Sequence, residues 1–143
     1  KGDQADLERI IAKPLNERDY GDLTGKNKWE VKDEIGDEAF QGIRRGWDYP
    51  VPGGETLKDV YARVVPYFEQ EILPKLQAGE NILLVAHGNS IRALMKHLDR
   101  VPEADMAHVE MPFGQLLVYT FEPTSDLPTN KDVLSVEIEA VNA

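Results

Sequence analysis

In the stretch "NILLVAHGNSIRAL", residues 81–94, an apolar run from Ile82 to Ala86 stops at His87, followed by Gly88, Asn89 and Ser90. In open α/β sheets, ligands bind beyond the carboxyl ends of strands. A helix starting there offers free N–H groups and the positive end of its dipole, both suited to phosphate. Gly88 lets backbone approach a ligand closely, and a histidine can donate to a phosphoryl oxygen or carry a proton. The local alternative is a histidine that merely ends a strand. A second candidate is Glu17 in "LNERDYG", flanked by Asn16, Arg18 and Tyr20 on an apparent loop. A carboxyl beside an arginine and a phosphate suits general acid and base work, with its pKa set by those neighbours. Its alternative is an exposed loop glutamate. "IRRG" supplies Arg44 and Arg45, side chains that hold phosphate or carboxylate bidentately unless they simply line a solvated helix face. His97 and His108 form no metal-ligand spacing, and no metal is expected. His97 lies off the apolar stripe of its helix and is expected to be exposed.

The whole chain constrains what such residues can meet. Its 143 residues fit one domain, long enough to bury a core, and 41% hydrophobic with 29% charged residues is a globular composition. No apolar stretch has the length of a membrane helix and no signal-peptide pattern occurs. Zero cysteines exclude disulfides and thiolate chemistry and are compatible with the cytoplasm, where we expect the protein to reside. A net charge of −10 argues against nucleic acid and anionic membranes as partners. Against that background Arg18, Lys26, Lys28, Arg44, Arg45 and Arg92 fall near loops or glycines, which suits a small anionic ligand, or else is a scatter of solvated charges.

The elements that position these residues follow from periodicity. Leu7, Ile10 and Ile11 predict a helix over residues 3–12, ended by Pro14. Residues 15–28 read as a loop. Residues 29–47 read as helical in pieces, anchored by Trp29, Ile35, Phe40 and Ile43 and broken at Gly36 and Gly46. After the loop "DYPVPGGE", Leu57, Val60, Tyr61, Val64, Phe68, Ile72 and Leu76 predict a long helix capped by Thr56 and stopped by Gly79, with Pro66 and Pro74 as sites of a kink. Ile82 to Ala86 reads as a strand buried on both faces. Ser90 is expected to cap a helix whose core face is Ile91, Leu94, Met95 and Leu98. Leu116 to Phe121 is a further strand, and Leu134 to Ala140 alternates like a half-exposed edge strand. Strands alternating with helices make this an α/β sandwich.

Taken in order, "LNERDYGDLTGKNK", "IRRG", "PGGE" and "AHGNSIRAL" resemble the cofactor-dependent phosphoglycerate mutases of the histidine phosphatase superfamily, over roughly residues 10–121. The resemblance implies a three-layer sandwich with a mostly parallel sheet and helices on both faces. It implies a glycolytic enzyme that interconverts 3-phosphoglycerate and 2-phosphoglycerate through a phosphohistidine, primed by 2,3-bisphosphoglycerate, without a metal. Glu17 would then donate and accept the proton, and His87 would stabilise the transferring phosphoryl group. Arg18, Tyr20, Lys28, Arg44, Arg45, Gly88 and Asn89 would bind the substrate's phosphate and carboxylate. A homo-oligomer, dimer or tetramer, is implied for the full-length protein.

Three departures stand against the family pattern. Asp19 occupies a position where many members carry histidine, the loop from Trp47 to Thr56 is short, and the tail after Phe121 matches poorly. Above all, the family's Arg-His-Gly motif, which holds its nucleophile, is not found here. The resemblance therefore implies that residues 1–143 are the C-terminal part of a single domain incomplete at its N-terminus. The rival readings are a bisphosphoglycerate mutase or phosphatase of the same superfamily, or an inactive fragment that at most binds anions or self-associates through sheet edges.

Overall fold

The computed structural model describes residues 8–112 and 114–135. Five helices carry the architecture: α1 (Lys28–Ile35), α2 (Asp37–Arg45), α3 (Leu57–Tyr67), α4 (Leu73–Gln77) and α5 (Gly88–Leu98). A hairpin of β1 (Gln115–Thr120) and β2 (Asn130–Ser135) follows, antiparallel, with Gln115 opposite Ser135 and Thr120 opposite Asn130. Short 3-10 turns cover Lys13–Leu15, Gly21–Leu23 and Glu103–His108.

The start of each helix is written locally. The side chain of Asn27 accepts the Trp29 N–H at 2.9 Å and starts α1. At α3, Thr56 Oγ1 accepts the Asp59 N–H while the Asp59 carboxylate accepts the Thr56 N–H, a reciprocal capping box. Gly36, at φ +83°, takes the left-handed conformation that separates α1 from α2, so the expected break there is real, as is the one at Gly46. The long helix runs through Pro66 and widens into a π turn over Phe68–Ile72, where Leu73 N–H donates to the Phe68 carbonyl. Pro74 has no N–H and its ring crowds the preceding turn, a conflict that a π turn relieves. Gly79, at φ +87°, ends α4, with Glu80 N–H donating to the Lys75 carbonyl.

Packing gathers two apolar clusters. Trp47, Leu57, Val60, Val64, Ala93 and Met106 form one where α3 crosses α5; Phe68, Ile72, Leu73 and Leu98 form the other under the hairpin. Leu94 packs against both. Burial of each such aliphatic side chain contributes about 1.5–3 kcal/mol.

Several expectations need correction. Residues 8–12 are not helical and Ile11 is exposed, because no apolar surface meets that stripe; the first part of the expected helix, residues 3–7, lies outside the described residues. Ile82 to Ala86 forms no ladder and is not buried: Leu83 is 77% and Val85 82% exposed, since no partner strand lies beside it among the described residues. The sheet of the described residues is two-stranded and antiparallel, so a mostly parallel sheet between helical layers is not what they form. The cap of α5 is His87, not Ser90, and the stripe Ile91, Leu94, Met95, Leu98 lines an open cleft of about 820 Å³ with Ile82–Ala86 and β1. Trp29 is exposed rather than an anchor. β2 is exposed throughout instead of alternating, and residues 136–140 of that expected strand lie outside the described residues. His97 is half-buried, edge-on to Tyr61 and Phe68 and 3.7 Å from the Glu69 carboxylate.

Candidate active site

Segment 14–19 is the floor on which the candidate acid and base stands, and other elements grip it from two directions. From α5, Ser90 Oγ lies 2.9 Å from the Leu15 carbonyl and 2.7 Å from that of Asn16. From α3, Arg63 donates to the carbonyls of Pro14, Asn16 and Glu17. The turn that follows is closed by Asp19, whose carboxylate accepts the Gly21 N–H at 2.8 Å. This short-range turn gives Asp19 a structural role. Gly21 (φ +51°) then packs so tightly on the loop at 52–54 that a Cβ would stand 2.3 Å from the Pro52 carbonyl oxygen. A Cβ on Gly54 would stand 2.6 Å from the Asp19 oxygen, so glycine is required on both sides. The short loop after Trp47 therefore serves as a backing for the Glu17–Asp22 turn, tied by Asp22 N–H to Pro52 O and Glu55 N–H to Asp19 O.

Glu17 Oε1 accepts the N–H of Arg18 at 2.7 Å, which fixes the carboxyl against its own backbone. Its other oxygen reaches the start of α5: a Cβ on Gly88 would lie 3.9 Å from Oε2. The carboxyl and the His87–Gly88 junction, 70 residues apart in the chain, are thus neighbours. His87 makes no cap bond with its side chain, and its carbonyl accepts the Ile91 N–H at 2.9 Å, leaving the exposed imidazole unengaged at the helix N-terminus.

Reached through Arg18, the residue after Glu17, is a pocket of about 450 Å³ whose charged lining is Arg18, Lys26, Lys28 and Arg44 against the single acidic residue Asp19, with Tyr20, Val31, Phe40 and Ile43 as apolar and aromatic walls. Arg18 is 3% exposed; it donates to the Ile43 carbonyl at 2.7 Å and stacks 4.5 Å over the Tyr20 ring. Its Nε is buried without a partner, an orphaned donor on a guanidinium that lines the pocket. Arg44 lies 5.3 Å over the Phe40 ring and Lys28 5.0 Å over Trp29. Tyr20 joins the pocket to the helix start, because Asn89 Nδ2 donates to its hydroxyl at 3.1 Å.

Of the residues expected in the site, Arg18, Tyr20, Lys28 and Arg44 converge on one pocket, and the carboxyl of Glu17, the residue before Arg18, lies near the backbone of Gly88, the residue after His87. Asn89 is buried and bonded to Tyr20 and Arg92, so it braces the wall from behind. Arg45 does not line the pocket: it forms a 2.7 Å ion pair with Glu110. Adjacent residues on a helix point about 100° apart, so Arg44 and Arg45 could not both face one ligand from the same turn.

Two arginines hold the arrangement together: Arg92, which the sequence grouped with the cations suited to an anionic ligand but which meets backbone carbonyls instead, and Arg63, which the sequence did not single out. Arg92, buried on α5, donates to the carbonyls of Arg45, Met106 and Val109 and to Asn89 Oδ1, so one guanidinium caps the end of α2 and braces the pocket wall. Burial lowers its pKa from the ordinary value, and the positive charges of Arg45 and Arg18 lower it further. Arg63 on α3 is the second, paired with Glu55. Arg63 follows Asp59 by four residues at the polar margin of the α3 stripe, where it reads as an ordinary solvated helix cation, so no sequence signal singled it out.

Residues 2–130 match the histidine phosphatase superfamily (branch 1). The chain is 45% identical over 139 residues to a 2,3-bisphosphoglycerate-dependent phosphoglycerate mutase of Methylorubrum populi, covering 97% of this chain and 65% of that protein. It is 44% identical to the protein of the same name from Sinorhizobium fredii, over 92% of this chain and 62% of that one. A solved structure, Mycobacterial hydrolase 1, superposes with a TM-score of 0.64 at 26% identity, over 79% of this chain and 56% of the other. The chain thus spans less than two thirds of the length of these relatives. With a family match over most of its length and the carboxyl, the histidine that caps α5 and the cationic pocket carried by neighbouring segments, this chain belongs to branch 1 of the histidine phosphatase superfamily.

Proposed function

We propose that these residues form the C-terminal part of a single phosphoglycerate mutase domain that interconverts 3-phosphoglycerate and 2-phosphoglycerate. One observation carries the reading: Arg18, Lys26, Lys28 and Arg44 line one pocket, and Glu17 lies against the start of the helix that His87 caps. A phosphoglycerate carries a phosphate and a carboxylate, and four cations around apolar walls match that charge and size. The orphaned Nε of Arg18 supports an anionic guest, because a buried guanidinium N–H without an acceptor is costly unless a ligand supplies one. The same fit extends to 2,3-bisphosphoglycerate, which when bound supplies the phosphoryl group that primes the nucleophile.

In this reading the nucleophilic histidine comes from an Arg-His-Gly segment outside these residues. Glu17 takes the proton from the glycerate hydroxyl that attacks and returns it to the one that leaves. His87 donates to the equatorial oxygens of the transferring phosphoryl group, and the N–H groups that start α5 add their partial charge to the same place. Phosphoryl transfer asks mainly for position and for charge on those oxygens. Arg18, Lys28 and Arg44 hold substrate through its phosphate and carboxylate, while Tyr20 and Asn89 keep the wall in register.

The fold completes accordingly: a three-layer α/β sandwich with a mostly parallel sheet, to which Ile82–Ala86 contributes a strand. The exposure of Leu83 and Val85 supports this, since an extended apolar run needs neighbours on its edges. The setting is glycolysis in the cytoplasm, with small phosphoglycerates as partners and a homo-oligomer as the assembled form. The likeness to a protein named a hydrolase favours one rival, a phosphatase in which water replaces the glycerate hydroxyl.

The test is made in the full-length protein. Glu17→Ala is expected to lower mutase turnover by about 100-fold or more while phosphoryl transfer to the enzyme persists. Wild-type turnover in that variant removes Glu17 from the role. Mutase, phosphatase and synthase rates measured side by side separate the rivals, and a dominant phosphatase rate selects hydrolysis.

A further inference from the structure

Arg63 stands outside the pocket, yet three of its five N–H bonds go to the segment that carries Glu17 and the other two to Glu55. Its Nε and Nη2 donate to the two oxygens of Glu55 at 2.8 and 2.9 Å. Nη1 donates to Pro14 O at 2.5 Å and Asn16 O at 3.0 Å, and Nη2 donates also to Glu17 O at 3.1 Å. A guanidinium has five N–H donors in a fixed planar fork, and these contacts engage every one. Glu55 extends the grip, because its Oε2 also accepts the Asp19 N–H at 2.9 Å. The backbone is therefore pinned just before, at and just after Glu17. The clamp itself is anchored in α3, whose first turn is fixed by the Thr56–Asp59 capping box. The pair is strongly coupled: the bond from Arg63 holds the Glu55 carboxyl below its usual range, and the bond to Glu55 raises Arg63.

We propose that Arg63, locked by Glu55, is a positioning residue that sets the place of the Glu17 carboxyl against the start of α5. This inference rests on the reading of Glu17 as the acid and base. The fork grips the Glu17 carbonyl, while the carboxyl on the same residue is bonded to the next N–H. A shift of the backbone is thereby transmitted to the reacting oxygen. Misplacement by about 1 Å in such a group costs up to about 100-fold in rate. The cations Lys28 and Arg44 stand on α1 and α2, and the guanidinium of Arg18, although on the gripped segment, is held by its own bond to the Ile43 carbonyl and its stacking on Tyr20, so substrate affinity is largely spared.

Lysine keeps the charge of Arg63 but presents its donors from one point, so Arg63→Lys removes the fork alone. In the full-length protein it is expected to lower kcat by about 10- to 100-fold and to change KM for 3-phosphoglycerate by less than about 3-fold. Placed on a Glu17→Ala background, it is expected to change the residual rate by no more than about 2-fold, because the carboxyl it positions is gone. A wild-type kcat in Arg63→Lys overturns the proposal. So does an equal loss with and without the Glu17 carboxyl, the mark of general loosening. If Arg63→Lys does not fold by circular dichroism, Glu55→Gln takes its place; it is expected to lower kcat by about 3-fold or more at unchanged KM, and an unchanged kcat overturns the proposal. Wild-type turnover in Glu17→Ala alone removes the underlying reading, and the positioning role falls with it, independently of what Arg63→Lys does.

Discussion

Arg92 is a guanidinium among carbonyls, and its chemistry is that of a brace. Its bonds to Arg45 O (3.1 Å), Met106 O (2.7 Å), Val109 O (2.9 Å) and Asn89 Oδ1 (3.1 Å) satisfy groups that come from three different parts of the chain. Arg92→Met retains much of the stem's packing but takes the donor from the buried Asn89 side chain and from the half-buried Arg45 and Val109 carbonyls, and leaves Met106 O only the longer bond from Val109 N–H. The expected loss is about 2–4 kcal/mol in urea unfolding. Arg45→Met removes only a partly exposed ion pair with Glu110 and should cost less than about 1 kcal/mol. Equal losses would mean that Arg92 is not the brace described. The contrast also marks what one residue reveals in a sequence. The grouping of Arg18, Tyr20, Lys28 and Arg44 around one pocket, and of Glu17 with Gly88, was legible because each sits in a motif whose spacing already groups charge with loop and glycine. Arg63 and Arg92 carry the same charge, but their partners are mostly backbone carbonyls supplied by distant segments. Nothing in the residue type states whether an arginine will meet a ligand or a carbonyl. The pairing of Arg45 was hidden for the same reason: its neighbour Glu110 lies 65 positions away.

Helix α3 is the element that ties the site to the core, and its first turn gives that tie a pH dependence. The bond from Arg63 holds Glu55 below its usual carboxylate range, and bonds from the Thr56 side chain and backbone do the same for Asp59. A carboxyl whose folded pKa is depressed stabilises the fold at pH above its unfolded value, and that contribution is lost as pH falls through the folded one. The unfolded values are 4.5 for Glu55 and 3.8 for Asp59. Unfolding temperature is therefore expected to hold from neutral pH down to about 4.5 and then to fall, with Glu55→Gln lower at pH 7 and flatter below that point. An acid limb as steep in Glu55→Gln as in the wild type would remove Glu55 from it. The helix itself was legible from spacing and its cap, both local properties. The π turn before Pro74 was legible only as a kink, because its form depends on how the next turn packs. Ile82–Ala86 was misread as buried for a different reason. Apolar content can nominate a strand, but a ladder needs a second segment, and none of the described residues provides one.

At the scale of the whole molecule, two clusters share Leu94 and leave between α5 and the hairpin the apolar cleft that Ile82–Ala86 borders. The α/β class was therefore legible while its layering was not, since layers depend on which strands pair and the described residues pair only two. Charge is the other global property, and here pocket and surface have opposite signs. The chain carries −10 overall, yet Arg18, Lys26, Lys28 and Arg44 line one cavity. In the proposed reading, a phosphoglycerate would meet those cations at contact range and the acidic surface from much further away. The screening length is about 30 Å at 10 mM salt, about 10 Å at 100 mM and about 3 Å at 1 M. The first increase mutes distant repulsion more than it weakens contact attraction; the second reaches the contacts themselves. Affinity for 3-phosphoglycerate, measured calorimetrically on the full-length protein without 2,3-bisphosphoglycerate, is thus expected to stay within about 3-fold between 10 and 100 mM NaCl, and to weaken toward 1 M. A cationic face on a neutral protein would instead lose affinity steadily from the lowest salt. A steep monotonic fall would mean that the acidic surface is not felt at the pocket, whereas a plateau followed by a decline is what opposed local and global charge requires.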